Sequence, residues 1–240
     1  MTDAFFLAQV GEDFFTDRGA GSESSCIQAN KICPGWAVDN FDRYVTPAIE
    51  HLELVLISVA AGFAIAFALA ILAHRRRWLA APLLGFTGVL YTIPAIAAIF
   101  LLIPITGFSW TTAIIALSAY NLQIIYRNVL AGLANVPNAA KSAGRGMGLT
   151  ERQLLWRVEL PLALPETFAG LRIATVSTVA IASLAGFVGL GLGTEILTDI
   201  DFKTGILVAG LLLMLMAFAL DAILFFAQRL VTPWRRAVQG

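Results

Sequence analysis

Charge is scarce in this 240-residue sequence: Asp, Glu, Lys and Arg make up 13% of it, against 58% hydrophobic residues. Soluble domains carry about a quarter charged residues, so an ordinary water-soluble globule is excluded and the membrane class comes first. Histidine occurs twice, at His51 and His74. A zinc site needs about four ligands, so no metal centre is expected. Cysteine also occurs twice, at Cys26 and Cys33 in the acidic N-terminal stretch, with no Cys/His nucleophile arrangement. Residues 1–53 hold nine acidic and three basic residues (Arg18, Lys31, Arg43), which excludes a nucleic-acid-binding arm. The short apolar patch AFFLAQV has no Lys or Arg before it and does not read as a signal peptide. No G-x-x-x-x-G-K-[ST] phosphate loop occurs, so ATP hydrolysis is not expected in this chain.

What is present is long charge-free runs. A spanning helix needs about 20 apolar residues. Residues 54–73 give 20 without a charge and stop at His74-Arg75-Arg76-Arg77. Residues 78–126 are charge-free for 49, enough for two spans, with the break expected at 104–107 (PITG). A fourth span is expected from about 166 to 188 and a fifth from about 205 to 226. The runs are too long and uniform for a β-barrel, so the spans read as helices. The expected fold is an all-α membrane protein of five helices. An N-terminal segment (1–50) precedes the membrane domain (51–230), and a short tail (231–240) follows. Twelve of the 16 basic residues fall on the side of Arg75 and the 139–172 region. The positive-inside rule makes that side cytoplasmic, with the N-terminus outside and the C-terminus inside.

The largest feature on the expected cytoplasmic side is the stretch from Ser142 to Pro165, SAGRGMGLTERQLLWRVELPLALP. Residues 139–147 read as a short helix rich in small residues: Ala139, Ala140, Ala143, Gly144 and Gly146, with Arg145 and Met147. Gly148 can end it with a positive φ, and Thr150 can cap a second helix with Glu151 and Arg152 in its first turn. That second helix is expected to run until Pro161 and Pro165 disturb it. Two short helices at a glycine bend make a protruding knob, within about residues 134–165.

The knob resembles the cytoplasmic coupling loop of ABC-importer permeases. That pattern is Glu-Ala-Ala, three residues, Gly, nine residues, Ile-x-Leu-Pro. Here Ser142-Ala143-Gly144 is followed three residues later by Gly148, and nine residues after that by Val158-Glu159-Leu160-Pro161. Ser142 stands where the family has Glu, and Gly144 where it has Ala, so no charge is offered to a partner at position 142. Arg145 to Thr150, Val158 to Leu162, Thr92-Ile93-Pro94, Tyr126-Arg127-Asn128, Ala169 to Ala174 and the glycine-rich 186–193 resemble the permeases for glycine betaine, choline and carnitine.

The resemblance implies a type I importer permease in a bacterial inner (cell) membrane, working as a homo- or heterodimer. ATP and magnesium would be bound by two separate ATPase subunits, and an extracytoplasmic binding protein would deliver the solute. The knob would dock on the ATPase, with Ala143-Gly144 buried in the contact. Alternatives are an importer for another small solute, or an ATP-independent membrane protein such as an intramembrane enzyme or signalling subunit. The spans show no paired catalytic acids and no His-rich cluster for an enzyme.

Other residues stand out singly. Asp221 is the one acid in a span. It either lines the path, pairs with a basic group such as Arg127, or reaches water. Tyr91, Tyr120, Phe86 and Trp110 could attract a quaternary ammonium through their ring faces, or serve only as packing and interface anchors. Pro94 interrupts the second helix, so the candidate path lining is Tyr91, Thr92, Pro94, Tyr120, Asn121 and Asp221. Gly189-Leu-Gly-Leu-Gly193 reads as a flexible turn leaving the fourth helix. Cys26 and Cys33 lie outside on this topology, where a bridge closing six residues can persist; two thiols remain the alternative.

Overall fold

The computed structural model describes residues 32–198 and 200–233, and every regular element among them is helical. In chain order these are α1 (Pro34–Asp39), a 3-10 turn (Phe41–Tyr44), α2 (Val45–Arg75), α3 (Ala80–Thr92), α4 (Ala95–Thr106) and α5 (Trp110–Ala134). Then come α6 (Asn138–Gly146), α7 (Glu151–Leu154), α8 (Leu160–Ala182), α9 (Gly193–Leu197) and α10 (Lys203–Val231). α2 begins at Val45, so the expected boundary at residue 50 falls inside a helix.

Three stretches are long and apolar enough to cross a membrane: Phe41–Arg75, Glu151–Val188 and Lys203–Val231. The expected second span is a bent pair, Arg77–Thr92 and Ala95–Thr106, meeting at 90°. Its break is at Ile93-Pro94, where Ile93 is extended (ψ 122°) because the proline ring excludes the helical conformation from the residue before it. Gly107 (φ +73°) ends α4 as the 104–107 break expected, while Pro104 lies inside that helix.

α5 is the centre of the bundle. It packs on α2, α8, α3 and α4, and buries Ala113, Leu117, Leu122, Ile125, Tyr126, Val129 and Leu133. Lipid tails are as apolar as leucine, so close packing and inter-helix hydrogen bonds hold such helices together. Both are present. A Cβ at Gly62 of α2 would sit 2.8 Å from Asn121 Cβ, and one at Gly170 of α8 would collide with Asn128 Cβ. The absence of those side chains lets both backbones close on α5. Ser118 Oγ donates to Ser58 O (3.1 Å), Thr178 Oγ1 to Asn121 Oδ1 (2.8 Å) and Tyr126 OH to Ala80 O (3.0 Å). Such bonds contribute about 0.6 kcal/mol each on average inside a membrane protein. Enclosure by neighbours is why α5 tolerates Ser118, Asn121 and Gln123, which lower its apolar character relative to the other long helices.

Two sequence expectations are corrected. Pro161 and Pro165 do not end the helix that begins at Glu151. A π-turn at Leu155–Glu159 precedes α8, with Leu160 N–H bonded to Leu155 O. It puts Pro161 in the first turn of α8, where a missing N–H is tolerated, and the chain stays helical from 151 to 188. The glycine-rich segment is packed rather than loose. After a 3-10 turn (Ser183–Val188), Gly191 N–H reaches Glu50 Oε2 at 3.4 Å and Glu195 Oε2 meets Arg43 Nε at 2.6 Å. Gly193 lies so close to the Ser183 carbonyl that no Cβ fits between them.

Candidate functional site

The knob forms from local signals. α6 stops at Met147-Gly148, where Gly148 takes φ +80° and Leu149 N–H returns to Gly144 O at 3.2 Å. Thr150 then caps α7: Gln153 N–H donates to Thr150 Oγ1 (3.3 Å), and Thr150 N–H donates to Gln153 Oε1 (2.9 Å). This reciprocal box satisfies two amides that the helix start leaves open. Glu151 pairs back to Arg145 at 2.9 Å, bracing the bend. The bond to Arg145 holds the Glu151 carboxyl below the usual carboxylate range and raises Arg145. The pair is therefore intact above that range and lost as pH falls through the lowered value; being solvent-exposed, it contributes little. Replacing Thr150 with Ala should cost about 1 kcal/mol of local helix stability. Faster amide exchange at Gln153, with the spanning helices unchanged, is the expected reading; unchanged exchange would show that the cap is idle.

The knob residues divide into an inner and an outer set. Gly144 is buried, and a Cβ there would lie 2.6 Å from Leu154 Cδ1. It is the contact between α6 and α7, so it is not part of an outward docking surface as expected. Glu159 and Leu160 also face inward, and Pro161 is half-buried. Ala139, Ser142, Ala143, Arg145, Gly146, Met147 and Gly148 are exposed, and Ala140 is half-buried. Met147 (74% exposed) and Trp156 (55%) stand out as large apolar side chains facing outward on the knob. Trp156 did not stand out in the sequence, because its helix was expected to end nearby.

The six path candidates do not form one lining. Tyr91 and Tyr120 come together, their ring centroids 4.4 Å apart, on α3 and α5 at the bend. Thr92 and Pro94 adjoin them in sequence, and Thr92 Oγ1 donates to Val89 O of its own helix (2.7 Å). Asn121 is elsewhere, buried among α2, α5 and α8. Asp221 is elsewhere again. It is held by Arg172, not Arg127, through Nε–Oδ1 (2.7 Å) and Nη2–Oδ2 (2.6 Å). The Arg172 guanidinium also lies 5.0 Å from the Phe225 ring centroid. Cys26 lies outside the described residues, so the Cys26–Cys33 pairing does too; Cys33 N–H donates to Thr204 Oγ1 at 3.0 Å.

The second helix of the knob is continuous with a spanning helix. Residues 56–237 match the family described as binding-protein-dependent transport system inner membrane component. The chain belongs to this family.

Curated relatives in the family include the osmoprotectant import permease protein OsmW of Salmonella typhimurium. It is 36% identical over 206 residues, covering 82% of this chain and 96% of that protein. The glycine betaine/carnitine/choline transport system permease protein OpuCB of Bacillus subtilis is 32% identical, covering 80% of this chain and 88% of that protein. Among solved structures, a chain of the MetNI methionine ABC transporter superposes with a TM-score of 0.70 at 24% identity, covering 79% of this chain and 96% of that one. The fold is thus that of an ABC importer permease, and the chain is a permease component of an inner-membrane transport system.

Proposed function

We propose that this permease forms the translocation path of an ATP-driven importer for a quaternary-ammonium osmoprotectant such as glycine betaine, choline or carnitine. The solute class is supported by the names of relatives that match most of the chain. One structural observation carries the mechanism: from Glu151 to Val188 the knob and the span are a single helix. A displacement of the knob is then a displacement of α8, and through the close α5–α8 contact it reaches the bundle centre. In this reading two ATPase subunits grip the knobs of a permease dimer, with Met147, Trp156 and Ala143 in the contact. An external binding protein delivers the solute. The basic-residue asymmetry supports a cytoplasmic knob, an external N-terminus and five crossings, with the bent α3–α4 pair and the enclosed α5 each crossing once. Tyr91 and Tyr120 at the helix break are the candidate path lining.

Purification of the complex from native membrane tests this. An ATPase should co-purify, and its hydrolysis should rise when the binding protein and one of these solutes are added. A permease purified without an ATPase, or an ATPase indifferent to all three solutes, overturns the reading.

A further inference from the structure

We infer that Glu159 is a positioning residue that locks the knob to the foot of α2, through His74 and with Lys141 beside it, so that α2 moves with the coupling element. Glu159 ends the π-turn, and its side chain is 8% exposed. Its Oε2 lies 2.8 Å from His74 Nε2 at the last turn of α2. A carboxylate accepts, so Nε2 carries the proton of this bond. Its Oε1 lies 3.6 Å from Lys141 Nζ on α6. One carboxylate therefore meets three elements: the knob's first helix, the start of the α8 span, and the end of α2. The other charges near this end include the Arg145–Glu151 pair, of which Arg145 also feels Glu159, and the exposed Arg75, Arg76, Arg77, Arg152 and Arg157.

The π-turn sets the rotation of the knob's α7 against Glu159 and α8. One extra residue in a turn rotates everything before it by about 100° relative to everything after it. Without it, Leu154 and the knob residues before it would be turned by about 100° relative to Glu159 and α8. Elsewhere near this end α2 meets the bundle through apolar side chains, the buried Ala66, Ala70 and Ala73 with Phe63, Phe67, Leu69 and Ile71 beside them, none of which forms a directional bond. The His74–Glu159 bond supplies a directional link there. A buried ion pair is a weak source of stability compared with apolar packing, and its better-attested use is to fix registry.

The inference rests on the proposed coupling to an ATPase, and the test separates the two. Three variants are assayed as the whole complex in lipid vesicles: His74→Leu, His74→Gln, and the double variant His74→Leu/Glu159→Leu. The readouts are co-purified ATPase, hydrolysis rate, and solute taken up per ATP, with glycine betaine and choline as probes. In His74→Leu the ATPase should remain bound and hydrolysis should persist, while solute per ATP falls about fivefold or more. His74→Gln, which keeps an N–H donor, should recover most of the ratio. The double variant fills the site with apolar groups and should keep ATPase and thermal stability, yet stay uncoupled. A wild-type ratio in either leucine variant overturns the inference, as does a loss of uptake that merely follows loss of bound ATPase. If the wild-type complex holds no ATPase, the proposed function itself falls.

Discussion

Asp221→Leu should abolish most uptake and destabilise the permease by about 3 kcal/mol, the lower end of the range for breaking a buried ion pair. Asp221 and Arg172 hold each other by two bonds, and their side chains are 32% and 28% exposed. The lower end applies because of that partial exposure. Both lie well inside long apolar helices, ten or more residues from the ends of α10 and α8. Removing the acid leaves a guanidinium among spans, where an unpaired charge is disfavoured by about 2.5–3.5 kcal/mol. Phe225 offers Arg172 only a weak substitute. Arg172→Leu should be equally damaging, because it strands the carboxylate. The double variant Arg172→Met/Asp221→Leu should regain most of the stability, since apolar side chains replace a partly exposed pair among apolar helices at little loss. The measurement is thermal unfolding in detergent, alongside vesicle uptake. Wild-type behaviour of Asp221→Leu would mean that the pair holds nothing together. A double variant that regains stability without regaining uptake would place the pair in the solute path.

Gly148→Val should release the ATPase while leaving insertion intact. Gly148 sits at φ +80°, a region that strains any L-residue by about 1–2 kcal/mol and β-branched residues more. A Cβ there meets no atom within 4 Å, so the effect is backbone strain and not a clash. The variants should therefore rank by their tolerance of left-handed backbone: Asn mildest, Ala intermediate, Val worst. Gly144→Leu should act differently. Its side chain collides with Leu154 and pushes α6 from α7, so the whole outer surface shifts. Co-purified ATPase across this series is the readout. If Val and Asn variants retain equal ATPase, the bend does not set the docking surface.

The elements readable in the sequence were those with local causes. Gly148 ends a helix and Thr150 starts one because the needed backbone freedom and cap lie within a few residues. Pro94 breaks a helix through its own ring. The knob could be read because its spacing is short-range, and the family resemblance followed from it. The tertiary structure overruled the sequence wherever a side chain had to choose a neighbour. Arg172 is 49 residues from Asp221, and nothing along the chain favours it over Arg127; the rotation of α8 against α10 decides. Gly144 looks like a docking surface in sequence and is an internal contact, because α7 folds back onto it. The 186–193 glycines look loose and are packed, since Glu50, Arg43 and Ser183 close on the segment from elsewhere.

The sequence by itself determined that this protein lies in a membrane, is helical and carries a two-helix knob at a glycine bend, because composition, helix period and turn chemistry act over a few residues. Only the tertiary structure decided that the knob continues into α8, which polar groups pair between helices, and that Glu159 reaches His74. The pairings depend on how the helices are rotated against one another, and the knob's face against α8 on one inserted residue at the π-turn, which turns it by about 100°.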